Sequence, residues 1–507
     1  MKYCLIQLGC QMNISDGERI RTVLERMGFA HTDSEEEADL LGIVACSVRQ
    51  KAIDKVYTRV ARWNSWKKHR NLLTFVSGCV LPADREKFLK LFDLMFSIND
   101  LPQLPEMIRQ YGVVTPYSLN ADSPGDRASD PRRHARSGAA NGGPVLSKAG
   151  LKAARPKRSG SKAVIPENPA DDRDTGYWKI RPSYTSGFEA YIPIQNGCDK
   201  LCTFCAVPYT RGREVSRDSG EILSEVRRLV EAGYRSITLL GQNVNSYGLD
   251  RKGVELSFAE LLERVGTIGE ETGRTFWTYF TSPHPRDMTD EVIDTIARYP
   301  VLAKQIHLPL QSGDDKVLIR MNRNHSVKRY RSIVEKIRET IPQATLFTDI
   351  IVGFTGETEE QFERTREAMR EFQYNMAYVA MYSPRPGAAS ARWNDDVRTD
   401  TKKRRLEELS RELKAGSYRY NRTLLGTTVR ALVEKPDRKS GYLSARTEGK
   451  LPIRFAADEH NLIGRFVDLT VTDCAELSLE GRLTGEPTAT PSGSMTPERV
   501  AAQGIDG

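Results

Sequence analysis

The chain has 507 residues, of which 39% are hydrophobic, and this composition excludes a disordered chain and predicts several packed domains. Lys and Arg number 75 and Asp and Glu 67, so the net charge of +8 fits a nucleic-acid partner without requiring one. No run of about 18 apolar residues occurs and the N-terminus lacks a cleavable signal pattern, so we expect a cytoplasmic protein with no membrane partner.

Strand-like and helix-like segments alternate in residues 1–118, which we assign to an N-terminal domain. The predicted strands are Tyr3–Leu8, Leu40–Val44 and Leu72–Val76, and the predicted helices are Gly17–Gly28, Ser47–Trp63 and Asp84–Phe92. This alternation predicts a parallel sheet covered by helices. Residues 119–176 are rich in Ala, Gly, Pro, Ser and Arg and have almost no aromatic side chains, so we predict a disordered insertion there.

The alternation returns in residues 177–418, which we assign to a central domain. Its predicted strands are Glu189–Ile194, Ser236–Leu240, Trp277–Phe280, Gln305–Leu310, Leu346–Val352 and Met376–Ser383, and the helices predicted between them include Glu221–Ala232, Ser326–Ile341 and Glu359–Phe372. Six strand–helix units in a row predict either a partial (β/α) barrel or a doubly wound sheet. Residues 419–485 contain short alternating runs with turn signals and predict a small β-barrel, and residues 486–507 predict a disordered tail.

Three cysteines, Cys198, Cys202 and Cys205, form a C-x3-C-x2-C run after the first strand of the central domain. Thiolates this close in sequence can face one point, and their softness favours zinc or an iron–sulfur cluster. A closed zinc site needs a fourth ligand, and the neighbouring sequence supplies neither Cys nor His. A [4Fe–4S] cluster held by three thiolates would instead leave one iron open for a small molecule.

Three further cysteines, Cys10, Cys46 and Cys79, are far apart in sequence, but each follows a predicted strand of the N-terminal domain. The carboxyl ends of parallel strands meet at one edge of a sheet, so these thiols would share one crevice. Gly9 and Gly78 precede two of them and allow a close approach of the backbone. A single buried cysteine is usually a packing residue, but that interpretation explains three matched positions poorly.

The segment Ile192–Gly212, with the sequence IPIQNGCDKLCTFCAVPYTRG, resembles the signature of the methylthiotransferase branch of the radical S-adenosylmethionine (SAM) enzymes. Within that branch the chain resembles the tRNA-2-methylthio-N6-dimethylallyladenosine synthase (MiaB) family, over nearly its whole length outside the insertion and the tail. The supporting segments are LGCQMN at Leu8–Asn13, DKVYTRV at Asp54–Val60, PYTRGREVSR at Pro208–Arg217, LLGQNVNSY at Leu239–Tyr247 and HLPLQSGDD at His307–Asp315.

The resemblance implies SAM and two [4Fe–4S] clusters as cofactors. Cys10, Cys46 and Cys79 would hold an auxiliary cluster, and Cys198, Cys202 and Cys205 would hold the cluster that binds SAM. Turns at the strand ends of the central domain are candidates for the SAM pocket: Gly241, Gln242, Asn243, Gln311, Ser312 and Asp349. Residues 419–485 would form a TRAM-like domain that binds tRNA, with candidate phosphate contacts at Arg430, Lys435, Arg438, Lys439, Arg446 and Lys450.

The activity that the resemblance implies is methylthiolation at C2 of N6-dimethylallyladenosine beside the tRNA anticodon, with a radical from one SAM and a methyl group from a second. An anticodon loop offers unstacked bases that a protein can splay out. The expected partners are the anticodon loop and a one-electron reductant such as flavodoxin or ferredoxin, and we expect a monomer.

Three alternatives remain. Two are methylthiolation of threonylcarbamoyl-adenosine in tRNA and methylthiolation of a ribosomal-protein aspartate. The residues of the segments LGCQMN and PYTRGREVSR disfavour both. The third is a non-catalytic RNA-binding iron–sulfur protein, which two three-cysteine sites with open irons disfavour.

Overall fold

The computed structural model describes residues 1–46, 50–111, 176–457 and 460–484. It divides into two compact units: Met1–Thr185 with Ala206–Arg213, and Ser186–Cys205 with Glu214–Gly507. The predicted insertion, apart from Gly176, and the predicted tail at 486–507 lie outside the described residues. No helix in the described ranges is long and apolar enough to cross a membrane.

The first unit contains a five-stranded, fully parallel sheet in the order β2-β1-β3-β4-β5. Its strands are β1 Lys2–Gln7, β2 Ala30–His31, β3 Leu40–Cys46, β4 Leu73–Cys79 and β5 Leu94–Met95. Its helices are α1 Gln11–Arg26, α2 Gln50–Trp66, α3 Pro82–Leu91, α4 Leu104–Arg109, α5 Gly176–Lys179 and α6 Val207–Arg211. The predicted parallel α/β domain is confirmed.

Apolar residues cover both faces of this sheet, because every residue of the central strand β3 is buried. One core cluster includes Tyr3, Val44 and Phe75. Tyr177 and Trp178 pack in the same cluster, although our sequence analysis assigns them to the central domain. Burial of these two large aromatic side chains explains why residues 176–185 belong to the first compact unit.

The second unit contains six parallel strands that follow one another in chain order. These strands are β6 Glu189–Pro193, β9 Ser236–Leu240, β10 Trp277–Phe280, β11 Gln305–His307, β12 Thr345–Val352 and β13 Met376–Met381, and the short strands β7 Gln195–Asn196 and β8 Val215–Ser216 form a separate antiparallel pair. Sheets β6-β9-β10 and β11-β12-β13 are joined where Ala303 N donates to Thr278 O at 3.0 Å. A doubly wound sheet would reverse its strand order, so the partial barrel is the correct alternative.

Seven helices cover this partial barrel or follow it: α7 Ser219–Glu231, α8 Phe258–Thr272, α9 Asp290–Arg298, α10 Asp315–Arg320, α11 Val327–Thr340, α12 Glu359–Phe372 and α13 Thr399–Thr423. The chain then forms a closed barrel in the order β14-β15-β16-β18-β17. Its strands are β14 Thr428–Pro436, β15 Tyr442–Thr447, β16 Pro452–Ala456, β17 Phe466–Cys474 and β18 Leu479–Leu483. Alternate residues of β17, such as Val467, Leu469 and Val471, fill its core, and the predicted small β-barrel is confirmed.

Candidate functional site

The carboxyl edge of the first sheet brings together Cys10, Cys46 and Cys79, which we call the N-terminal cysteine site. Cys46 and Cys79 are the last residues of β3 and β4 and occupy paired positions in their register. Cys10 follows β1 and caps the start of α1. Three strands in parallel therefore deliver three thiols to one edge, as the sequence predicts.

A buried amide, Asn13, joins the loops of this site. Its Nδ2 donates to Leu8 O at 2.7 Å and to Ala45 O at 2.8 Å, so it ties the end of β1 to the end of β3. Its Oδ1 accepts from Cys10 Sγ at 3.8 Å and from Cys79 Sγ at 3.9 Å. Asn13 lies in the LGCQMN segment, but the sequence reasoning assigned it no role.

Two glycines make room for the site. At Gly9, where φ is +128°, a Cβ atom would stand 2.6 Å from Cβ of Cys46. At Gly78, where φ is +95°, a Cβ atom would stand 2.6 Å from Ala45 O. Both distances are far below van der Waals contact, so the close backbone approach predicted for these two positions is confirmed.

An arginine is in direct contact with one of the thiols. Arg211, from α6, donates from Nε to Cys79 Sγ at 3.0 Å, and Asp16 of α1 forms an ion pair with the same guanidinium. Burial raises the pKa of Cys79 to about 12, and the positive charge of Arg211 opposes that rise. The thiol therefore keeps its proton at neutral pH unless a metal ion displaces it.

Cys198, Cys202 and Cys205 lie in the loop after β6 and β7, and we call them the barrel cysteine site. Cys198 is buried and the other two are half-buried, and Cys205 N donates to Cys202 O at 3.0 Å. Burial raises the pKa of Cys198 to about 12, and the other two thiols add to the rise because they stand nearby. The structure thus brings these three cysteines together as well.

Side chains and backbone from the chain around α10 hold this loop. Thr203 Oγ1 donates to Arg320 O at 2.8 Å, and Asn322 Nδ2 donates to Leu201 O at 3.0 Å. Arg323 donates from Nη1 to Cys202 Sγ at 3.5 Å. The loop geometry is therefore imposed by a segment more than a hundred residues further along the chain.

Each site consists of three cysteine thiols, and this donor set fits a [4Fe–4S] cluster. Within the described ranges, no three His, Cys, Asp or Glu side chains are arranged to hold one metal ion. A four-iron cluster is bound at its corners, so its thiolates stand farther apart than the ligands of one ion. Three soft sulfur donors at each site match the thiolate ligands that iron–sulfur clusters take.

Three of the six predicted SAM-pocket residues carry buried oxygens that have no hydrogen-bond partner among the described residues. These are the side-chain amide oxygens of Gln242, Asn243 and Gln311. Gln311 also adopts a left-handed φ of +73° while its N donates to Asp349 O at 2.8 Å. Buried polar atoms are normally paired, so these three oxygens are available to a bound ligand.

The other three predicted residues are engaged by the protein itself. A Cβ atom at Gly241 would stand 2.9 Å from Gln195 Oε1, so the glycine makes room for a protein side chain. Ser312 Oγ lies 3.3 Å from Thr365 Oγ1. Asp349 pairs with His307, with 2.7 Å between Oδ2 and Nε2.

The sequence reasoning missed three other polar residues near the strand ends. Gln195 Oε1, Glu214 Oε2 and His284 Nε2 are buried and unpaired within the part of the chain that the structure describes. Burial raises the pKa of Glu214 to about 7, and burial likewise lowers the pKa of His284. The quoted PYTRGREVSR segment contains Glu214, so that motif was the available signal.

The small β-barrel gathers part of the predicted phosphate-binding set. Lys435, Arg438 and Lys439 line one groove together with Arg454, which the sequence reasoning did not include. Lys439 Nζ lies 3.7 Å from the centre of the Tyr442 ring. This groove is positively charged and carries an aromatic face beside it, which are the two features that bind nucleic-acid strands.

The remaining three basic residues have other partners. Arg430 pairs with Asp468 at 3.5 Å, and Arg446 pairs with Glu434 at 2.9 Å. Lys450 places its amine 4.1 Å from the centre of the Tyr279 ring, and burial lowers its pKa to about 8. Lys450 therefore packs on the partial barrel.

Family models match three parts of the chain. Residues 2–98 match Uncharacterized protein family UPF0004, residues 192–369 match the Radical SAM superfamily, and residues 422–484 match the TRAM domain. A solved structure of the radical S-adenosylmethionine methyltransferase TsrM from Kitasatospora setae is similar in fold, with a TM-score of 0.50 and 13% identity over 87% of this chain and 78% of that one. The fold and the cysteine loop define a radical SAM enzyme that carries a TRAM domain.

Curated relatives place the chain more narrowly. The tRNA-2-methylthio-N(6)-dimethylallyladenosine synthase of Haemophilus ducreyi is 36% identical over 487 residues, which are 94% of this chain and 90% of that protein. The enzyme of the same name from Vibrio vulnificus is 36% identical over 483 residues, with the same coverage of both chains. The chain belongs to the tRNA-2-methylthio-N(6)-dimethylallyladenosine synthase family.

Proposed function

We propose that this chain adds a methylthio group to C2 of N6-dimethylallyladenosine beside the anticodon of tRNA. The observation that carries this function is family membership at 36% identity over 94% of the chain. Two separate three-cysteine sites and a basic groove on the TRAM domain support it, because the reaction needs two clusters and an RNA substrate.

In this proposal the N-terminal cysteine site holds an auxiliary [4Fe–4S] cluster, and the barrel cysteine site holds the cluster that binds SAM. When bound, these groups supply one-electron cleavage of SAM and the sulfur that is transferred. The chain itself positions the thiols: Asn13 ties the strand ends of one site, and Asn322 and Thr203 fix the loop of the other.

The SAM pocket is proposed at the strand ends of the partial barrel. Gln242, Asn243 and Gln311 would accept hydrogen bonds from SAM through their unpaired amide oxygens. Asn243 is oriented by its own donation from Nδ2 to Asp287 Oδ2 at 3.0 Å. Asp287 in turn pairs at 2.6 Å with Lys200, which lies in the cysteine loop between Cys198 and Cys202. The proposed pocket and the cysteine loop therefore share one network of polar contacts.

For tRNA we propose phosphate contacts at Lys435, Arg438 and Lys439 of this groove, since Arg454, which also lines it, pairs with Glu480 at 2.7 Å. We expect replacement of Lys435, Arg438 and Lys439 by Gln to weaken tRNA binding and to make the slope of log affinity against log salt shallower by up to about three units. A salt titration of tRNA binding measures both. The matched control replaces Arg430 and Arg446, where a phosphate contact would first have to break an ion pair, and we expect a smaller change. Equal slopes for parent and triple variant would remove the groove from the RNA interface.

The function is tested by mass spectrometry of tRNA nucleosides. A strain that lacks this gene should accumulate N6-dimethylallyladenosine, and the full chain should restore its 2-methylthio form. Accumulation of unmodified threonylcarbamoyl-adenosine would favour the first alternative substrate. A change confined to a ribosomal-protein aspartate would favour the second, and either result would overturn the proposal.

The remaining parts of the proposal concern partners and location. A one-electron donor such as flavodoxin or ferredoxin is needed because cleavage of SAM consumes an electron. We propose a monomer, since one copy of the fold already brings Cys46 and Cys79 to the same sheet edge as Cys10 and needs no residue from a second copy there. The cytoplasm is the compartment where tRNA and reduced thiols are available.

A further inference from the structure

Arg211 occupies a position in the N-terminal cysteine site that its sequence neighbourhood does not suggest. It is the last residue of α6, six positions after Cys205, yet it belongs to the first compact unit. Its side chain is only 2% exposed, and its Nε donates to Cys79 Sγ at 3.0 Å. The guanidinium therefore points directly at a proposed cluster ligand.

Partners on α1 and α5 fix the orientation of this guanidinium. Asp16, which is fully buried, pairs with Nη2 at 2.5 Å, and Asn13 Oδ1 accepts from the same nitrogen at 3.5 Å. Tyr177 OH donates to the other oxygen of Asp16 at 3.1 Å. A buried ion pair of this kind contributes little net stability, because desolvation offsets the attraction. The ion pair uses the terminal nitrogens of Arg211, so Nε is available to donate to Cys79 Sγ.

The barrel cysteine site has a similar contact. Arg323, which is 6% exposed, donates from Nη1 to Cys202 Sγ at 3.5 Å and from Nη2 to Pro309 O at 3.0 Å. Each group of three cysteines thus includes one sulfur that accepts a hydrogen bond from a buried arginine. Hydrogen bonds and positive charge at cluster sulfurs stabilise the reduced, more negative cluster and raise its reduction potential.

We propose that Arg211 is a positioning residue of the N-terminal cysteine site, which orients Cys79 and makes the cluster bound there easier to reduce. Arg323 has the corresponding role at Cys202. This inference rests on the proposed function, because it takes each cysteine site to hold a cluster.

The test isolates one cluster at a time in the full chain. In a parent in which Cys198, Cys202 and Cys205 are Ala, anaerobic reconstitution leaves only the N-terminal cluster, and its potential is read by a redox titration followed by electron paramagnetic resonance. We expect Arg211→Gln to lower the ratio of reduced to oxidised cluster at a fixed potential about tenfold, a shift of about 59 mV for one electron. Arg211→Lys keeps the positive charge but loses the planar guanidinium, so its reduction potential should lie between those of the parent and Arg211→Gln.

Three controls accompany these variants. Arg213→Gln removes an exposed arginine of the same segment and should leave the potential unchanged. The double variant Asp16→Asn with Arg211→Gln removes both charges, so no unpaired buried carboxylate remains to unfold the chain. In the reciprocal parent Cys10, Cys46 and Cys79 are replaced by Ala, so only the barrel cluster remains. There Arg323→Gln should lower the reduction potential of that cluster, and Arg211→Gln should leave it unchanged.

The outcomes separate the two proposals. If the first parent binds no cluster, the proposed function fails, and the inference, which rests on it, is overturned with it. If that parent binds its cluster but Arg211→Gln and the double variant keep its iron content, spectrum and potential, the inference is overturned. Loss of the cluster from folded Arg211→Gln, with recovery in Arg211→Lys, supports the positioning role. Unfolding of every Arg211 variant would make the role purely structural and also overturn the inference.

Discussion

Replacement of Cys198, Cys202 and Cys205 by Ala is expected to abolish the reductive cleavage of SAM. The three thiols are the proposed ligands of the cluster that binds SAM, and an alanine side chain offers no donor atom. Reconstituted iron should fall from about eight to about four atoms per chain, since one of two four-iron clusters is lost. Iron analysis and the amount of 5′-deoxyadenosine formed under reducing conditions measure the two effects.

The variant with all three cysteines replaced should still fold. Each replacement removes one sulfur atom, which costs on the order of 1 kcal/mol of folding free energy, so the thermal transition should persist. Cys474→Ala is the matched control, because Cys474 is half-buried in the TRAM barrel and belongs to neither cysteine site. Cleavage of SAM that continues at the parent rate in the triple variant would contradict the assignment of the barrel cysteine site.

Replacement of Cys10, Cys46 and Cys79 by Ala is expected to give the opposite pattern. Cleavage of SAM should continue, because the barrel cysteine site is intact, but no 2-methylthio nucleoside should form. Iron should again fall to about four atoms per chain. Assays of 5′-deoxyadenosine and of tRNA nucleosides on one preparation measure SAM cleavage and methylthio product formation, respectively.

The control for this variant lies on the same sheet. Cys4 is buried in the middle of β1, and Cys4→Ala removes a thiol from the core without touching the carboxyl edge. It should retain both iron and product. Methylthio product formed at the parent rate by the Cys10, Cys46 and Cys79 variant would show that the transferred sulfur does not come from this site.

Much of the secondary structure follows from hydrophobic pattern alone. Strands Ser236–Leu240 and Trp277–Phe280 and helix Glu359–Phe372 were predicted at their observed bounds, because the strands are short, fully buried runs and apolar residues recur along the helix with its period. Helix α1 begins at Gln11, six residues before the predicted start at Gly17. Its first turns bury the polar residues Asn13, Ser15 and Asp16, which break the apolar pattern. Asn13 ties the strand ends of the cysteine site, and Asp16 pairs with Arg211.

Helix α13, at Thr399–Thr423, was not among the predicted helices, and the reason is similar. It buries Lys402 and Arg405 along with apolar residues. Lys402 pairs with Asp395 at 2.5 Å, and Arg405 pairs with Glu357 at 2.7 Å. Charged residues are buried here because they pair with residues elsewhere in the fold. The hydrophobic periodicity of the helix sequence therefore does not predict their burial.

By itself, the sequence determined the α/β class of both larger parts, the small β-barrel and the identity of six cysteines in two groups of three. The fold classes follow from local periodicity, the group Cys198, Cys202 and Cys205 follows from its short spacing, and the group Cys10, Cys46 and Cys79 follows from its position after three predicted strands. Only the tertiary structure decided that the six central strands form a partial barrel, that Arg211 meets Cys79, and that Lys450 packs on Tyr279. Each of these depends on contacts between residues more than a hundred positions apart or on strand order, and such contacts form only when the burial of many side chains offsets the entropy of ordering the chain.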